Sequence, residues 1–140
     1  MIELLLVSCA FAGLCISTYF SLVQYRIIQA DNRWIPSFCR MEKGACMRIL
    51  DAPEAKVLGL PNSVFGILYY GAILFVPINM FEAFFLIASI FSVGLGMYLV
   101  HALIVRLKTY CPLCYTAHGI NLVIANLFIV RAIQLHLTLW

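Results

Sequence analysis

Four cysteines in two pairs are the residues of this chain whose spacing could do chemistry. Cys39 and Cys46, separated by six residues, lie in a charged stretch, and Cys111-Pro112-Leu113-Cys114 opens an apolar run. Proline suits the first helical position, because the N–H it lacks would go unpaired there anyway. Cys111 then falls near the N-cap of a helix and Cys114 in its first turn. Unpaired backbone N–H groups and the positive end of the helix dipole stabilise a thiolate at that place. A lower thiol pKa makes a better leaving group in thiol–disulfide exchange, so this pair suits redox work. Cys39 and Cys46 could form a structural disulfide, exchange with the helix pair as a relay, or join it around zinc. Their separation is wider than the roughly two to four residues usual between paired zinc ligands. Cys9 and Cys15 sit inside another apolar run and read as inert buried thiols, since free cysteine packs like a small apolar side chain.

The elements that must position these thiols follow from where charge is missing. Of 140 residues, 64% are hydrophobic and 11% charged, with a formal net charge of +3. A soluble domain is about half apolar and about a quarter charged. The composition therefore excludes a disordered chain, a nucleic-acid binder and an ordinary soluble enzyme. Asp, Glu, Lys and Arg are absent from 4–25, 57–81, 83–105 and 109–130, windows of 22, 25, 23 and 22 residues. A helix needs roughly 20 apolar residues to cross about 30 Å of hydrocarbon, where the backbone must pair with itself. The expectation is all-α: one integral membrane domain over 1–140, a four-helix bundle with spans at about 4–26, 61–80, 83–106 and 112–135. Only Glu3 precedes the first run where a signal peptide would carry basic residues, so it reads as a retained span. Pro61 marks the start of the second helix, and Pro77 and Asn79 its end. The link that follows is so short that helices two and three should be antiparallel neighbours. Ser89, Ser92, Gly94 and Gly96 give helix three a small-residue face, and Ser92-x-x-x-Gly96 suits close packing in lipid.

A redox loop of about 28–60 separates the first two spans. Residues 28–56 hold nine of the 15 charged residues, two prolines and two cysteines. Trp34, Ile35, Phe38 and Met41 among them argue for a folded cap over the bundle. With four crossings, the loop and the link before Cys111 share one membrane face, so all four thiols can meet at one end. The spans carry no acidic or basic residue except Arg131 near the far end, which disfavours a transporter.

These residues resemble the vitamin K epoxide reductase family, specifically its small microbial members without a fused thioredoxin-like domain. The resemblance rests on Cys39-x6-Cys46, on the stretch from Val57 through Pro61-Asn62-Ser63-Val64-Phe65-Gly66 to Tyr70, and on Cys111-Pro112-Leu113-Cys114. It implies a bundle built around a quinone, of ubiquinone or menaquinone type, and no metal. It implies that Cys114 engages the quinone with Cys111 as its partner, and that Cys39 and Cys46 shuttle electrons, with Cys46 the one expected to exchange with Cys111. Asn62 matches an asparagine that hydrogen-bonds a quinone carbonyl, and Phe65 and Tyr69 match ring-contacting positions. His118 stands where animal members have a tyrosine that bonds the other carbonyl. The residues support part of this themselves. Asn62, Phe65 and Tyr69 share a helix face, as do Cys114, His118 and Asn121. Two positions depart from the pattern: His118 itself, and Leu50-Asp51-Ala52-Pro53, where relatives often carry a hydroxyl.

The implied activity is that of a membrane thiol–disulfide oxidoreductase. It would oxidise a thioredoxin-fold partner through Cys39 and Cys46, pass the electrons through Cys111 and Cys114 to quinone, and so support disulfide formation. The alternative is a redox-inert membrane scaffold holding zinc on four cysteines. Two arguments about orientation oppose each other. Arg26, Arg33, Arg40, Lys43, Arg48, Lys56, Arg106 and Lys108 fall on the cysteine face and Arg131 alone on the other, a bias that favours the cytoplasm. The family habit, and the reducing state of ordinary cytosol, favour the outside.

Overall fold

A computed structural model of the chain describes residues 1–28, 49, 52–57, 59–108 and 110–138. Cys39 and Cys46, with most of the expected redox loop, lie outside the described residues. Four α-helices follow in order: α1 (Ile2–Gln24), α2 (Asn62–Phe75), α3 (Glu82–His101) and α4 (Pro112–Thr138). α1, α4 and α3 with its continuation to Leu107 are each long and apolar enough to cross a bilayer. The protein is an all-α membrane bundle.

The second helix is shorter than its apolar window. Its 14 residues span about 21 Å at 1.5 Å per residue. The helix stops because Val76 is extended, at φ −96° and ψ 136°, as the residue before a proline tends to be. Pro77 then leads into a 3-10 turn at Ile78–Met80. The start of α2 is set by a small hairpin, in which β1 (Lys56–Val57) pairs antiparallel with β2 (Leu60–Pro61), Val57 opposite Leu60. Gly59 makes the turn at φ +83°, a conformation that glycine adopts without steric cost. At its far end α3 widens into a π-helical stretch, Ala102–Leu107, closed by Lys108 in the left-handed region at φ 45°. That turn redirects the chain toward Cys111.

Two apolar clusters fix the up-and-down arrangement. Phe20 and Val23 from the end of α1 pack with Leu103, Cys111 and Cys114. Leu6 and Ala10 from its beginning pack with Tyr70, Ile73, Phe85, Ile124 and Phe128. α2 lies on α1, α3 on α4, and α1 on α4. The α1–α2 contact is close because of small residues four apart on α1. A Cβ on Gly13 would overlap the Tyr70 ring, one on Gly66 would overlap the Ser17 hydroxyl, and Ser21 Oγ donates to Ser63 Oγ at 2.9 Å. Such spacing lets helices approach in lipid, where packing replaces the hydrophobic drive. It also orients α2: Ser63, Gly66 and Tyr70 face α1, and Asn62, Phe65 and Tyr69 are turned to the neighbouring face. On α3 the expected small-residue face divides. Gly96 is buried against His118 of α4, whereas Gly94 has open space beside it.

The end remote from the cysteines is tied by Arg131. Its guanidinium pairs with Glu3 at 3.0 Å and Glu82 at 3.3 Å, and donates to the Asn79 side-chain oxygen. The Arg131 and Glu82 side chains are only 18% and 14% exposed, so each needs the other to remain charged there. Arg131→Met should strand Glu82 and cost about 3 kcal/mol, seen as a lower melting temperature in detergent. Adding Glu82→Gln to that variant should restore part of the loss.

Candidate active site

Pro112 starts α4, and the Cys111 carbonyl accepts the Tyr115 N–H at 3.2 Å, which places Cys111 at the N-cap. Cys114 follows in the first turn. The two are not bonded to each other as a disulfide, and Cys114 Sγ donates to Cys111 Sγ at 3.0 Å. A disulfide bond is about 2.05 Å long, so a small movement closes the pair. Cys111 is 0% and Cys114 9% exposed. Phe20, Val23, Ile49 and Leu103 enclose them, and Ile28 packs against the same group. The chain therefore leaves the described residues at Ile28 and returns at Ile49 beside the dithiol.

Below the dithiol, the four helices enclose a cavity of about 530 Å³, within the usual range of small-molecule sites. Cys114 lines it, with Ala117, His118 and Asn121 on the same face of α4. The expected contact residues Asn62, Phe65, Tyr69 and His118 all line it as well. Asn62 is not spent as a helix cap, since the N-cap of α2 is Pro61 and no side-chain cap bond forms. Two polar atoms on lining residues are poorly satisfied. His118 Nδ1 is buried with no hydrogen-bond partner among the described residues, and the Tyr69 hydroxyl is buried beside Ser89 without a well-formed bond. Buried polar groups are nearly always paired. Sparse polar groups on an otherwise apolar wall suit a flat, largely apolar ligand that carries polar atoms of its own. Among the described residues no three His, Cys, Asp or Glu gather as metal ligands. A four-cysteine zinc site would draw on Cys39 and Cys46, outside those residues.

The cavity opens sideways. Leu68 of α2 and Phe84 and Phe91 of α3 line it while remaining 65%, 63% and 69% exposed on the bundle surface. A gap between α2 and α3 thus connects the interior with the lipid. At the dithiol end Glu54 contributes to the wall and pairs with Arg106 at 3.1 Å. This bridge joins the 3-10 turn Pro53–Ala55, just ahead of the hairpin, to the π-helical stretch before Cys111.

Two features of the site were missed in the sequence. Tyr70 is 2% exposed and donates its hydroxyl to Asn121 Oδ1 at 2.5 Å. The cue available was the Gly13, Ser17 and Ser21 spacing on α1, which selects the face of α2 that holds Tyr70. The other is the glycine seat for His118: a Cβ on Gly96 would stand 2.8 Å from its Nδ1.

The family model described as the vitamin K epoxide reductase family matches residues 4–129, nearly the whole chain. No curated protein matches it.

The Glu54 carboxyl is held below its ordinary value of 4.5, first by backbone hydrogen bonding and then by Arg106. A depressed carboxyl pKa gives stability that is present above the ordinary value and lost as pH falls through the folded one. Amide hydrogen exchange over 54–57, corrected for its intrinsic pH dependence, should stay slow from pH 7 down to about 4.5 and quicken only below. Arg106→Gln should quicken it throughout.

Proposed function

Because the chain belongs to the vitamin K epoxide reductase family, whose members are membrane thiol–disulfide oxidoreductases, we propose that it moves electrons from a thioredoxin-fold partner to a quinone. One observation carries the reading: Cys114 belongs both to a close dithiol and to the wall of an apolar cavity open to lipid.

In the first step the partner's dithiol reduces a Cys39–Cys46 disulfide and leaves as a disulfide itself. Cys46 then attacks Cys111 of the oxidised helix pair, releasing the Cys114 thiolate. Cys39 resolves the mixed disulfide, reforming Cys39–Cys46 and freeing Cys111. The reach is available, because Cys46 is three residues from Ile49, at most about 11 Å of extended chain, and Ile49 packs with Cys111. Finally Cys114 and Cys111 give up two electrons and two protons, the quinone leaves as quinol, and the helix disulfide is restored.

The remaining lining residues would bind and orient. Phe65 and Tyr69 offer ring contacts. Asn62, with His118 through its Nε2, would place donors where negative charge grows on a quinone oxygen, and fixed donors in a dry site stabilise such charge strongly. The gap between α2 and α3 gives an isoprenoid tail a path into the bilayer, so only the ring has to enter the bundle.

Anaerobic mixing of the reduced protein with a short-chain quinone, followed by absorbance, tests the reading. Fully reduced protein should consume two quinones, one for each dithiol, and a variant without the Cys39/Cys46 pair only one. Cys114→Ala should slow this at least 100-fold. A variant lacking Cys39 and Cys46 should still reduce quinone once chemically pre-reduced, but not with the partner protein as donor. Full-rate reduction by Cys114→Ala would overturn the assignment.

A further inference from the structure

Asn121 and Tyr70 have no part in the steps above, yet they form a polar link inside the bundle. The Tyr70 hydroxyl donates to Asn121 Oδ1 at 2.5 Å, joining α2 to α4. Tyr70 cannot swing away, because its ring is wedged against Gly13 of α1, where no Cβ would fit. A side-chain amide has one oxygen that accepts and two N–H bonds that donate. Tyr70 occupies the oxygen, and no described residue bonds the amide nitrogen, which is not sealed from the cavity. Asn121 lines that cavity on the α4 face of Cys114 and His118. In this orientation Asn121 presents its N–H bonds to the cavity, and a flip would give up the bond that Tyr70 donates. His118 cannot do the same with Nδ1, which is buried against Gly96.

We infer that Asn121 donates an N–H to the quinone carbonyl remote from Asn62, and that Tyr70 is the positioning residue that fixes this polarity. The inference rests on the quinone reading above. A quinone has two carbonyls on opposite sides of its ring, both acceptors only. Asn62 stands at the start of α2, near the dithiol end. Asn121 is seven residues along α4 from Cys114, about 10 Å deeper at 1.5 Å per residue. Two amides at different depths give each carbonyl a donor. A fixed donor also discriminates between substrate and product. The quinol hydroxyl is a poorer acceptor than the carbonyl, and its own hydrogen meets N–H bonds there, because the amide oxygen is turned toward Tyr70. The site thus favours quinone over quinol and eases product release.

The test compares wild type, Asn121→Leu and Tyr70→Phe, using a short-chain quinone with one carbonyl isotopically labelled so that infrared bands of the two carbonyls separate. In wild type both bands should lie below those of free quinone. Asn121→Leu should return one band, and only one, toward the free position and raise KM about 10-fold. Tyr70→Phe should broaden the same band and raise KM about 3-fold. A merely structural role would move both bands or neither. Unchanged bands and KM in Asn121→Leu would overturn the inference while quinone reduction by the wild type upholds the function. A wild type that reduces no quinone would overturn both. Should Asn121→Leu fail to fold, judged by helical circular dichroism, Tyr70→Phe decides: an unchanged band overturns the inference.

Discussion

Two sulfurs held 3.0 Å apart at the first turn of α4 set the demands on the rest of the molecule. A dithiol at a helix start gains from the free N–H groups there. It can hand electrons onward only if one sulfur reaches an acceptor and the other can be reached by a donor. The bundle separates these duties by depth. Cys114 borders the cavity, and Cys111 is enclosed in the apolar cluster that Ile28 and Ile49 also join.

Lipid imposes the rest. With no water to serve the interior, polar groups must find partners within the bundle or be kept for a ligand. At the far end Arg131 meets that demand with Glu3, Glu82 and Asn79. On α1, Gly13, Ser17 and Ser21 let α2 come close and turn its Asn62, Phe65 and Tyr69 face to the cavity. The Arg131 end is closed by ion pairs, whereas the cavity wall carries polar side chains such as Asn62, His118 and Asn121.

Much of this was legible in the sequence, because absence of charge is a strong signal over a length that matches a bilayer. Three of the four expected spans correspond to helices able to cross one. The second stopped early, since the hydropathy of its window does not register that Val76 before Pro77 leaves the helical conformation. The helix-start geometry of Cys111 and Cys114 followed from Pro112. The sharing of one cavity by Asn62, Phe65, Tyr69 and His118 followed from spacing together with the family resemblance. Tyr70 was not legible, because adjacent tyrosines on an apolar helix look alike until the neighbouring helix is placed. Only Gly13 distinguishes them. The expectation for Cys39 and Cys46 concerns residues outside those described.

The central claim is that electrons leave the protein through Cys114. Reaction of the reduced protein with a ring-brominated quinone, which alkylates the thiol that meets the ring, followed by mass mapping of the adduct, tests it most directly. The account predicts modification at Cys114, with an excess of unreactive quinone protecting it. An adduct confined to Cys111, or to Cys15, which lies exposed on α1 rather than buried as its apolar run suggested, would contradict it.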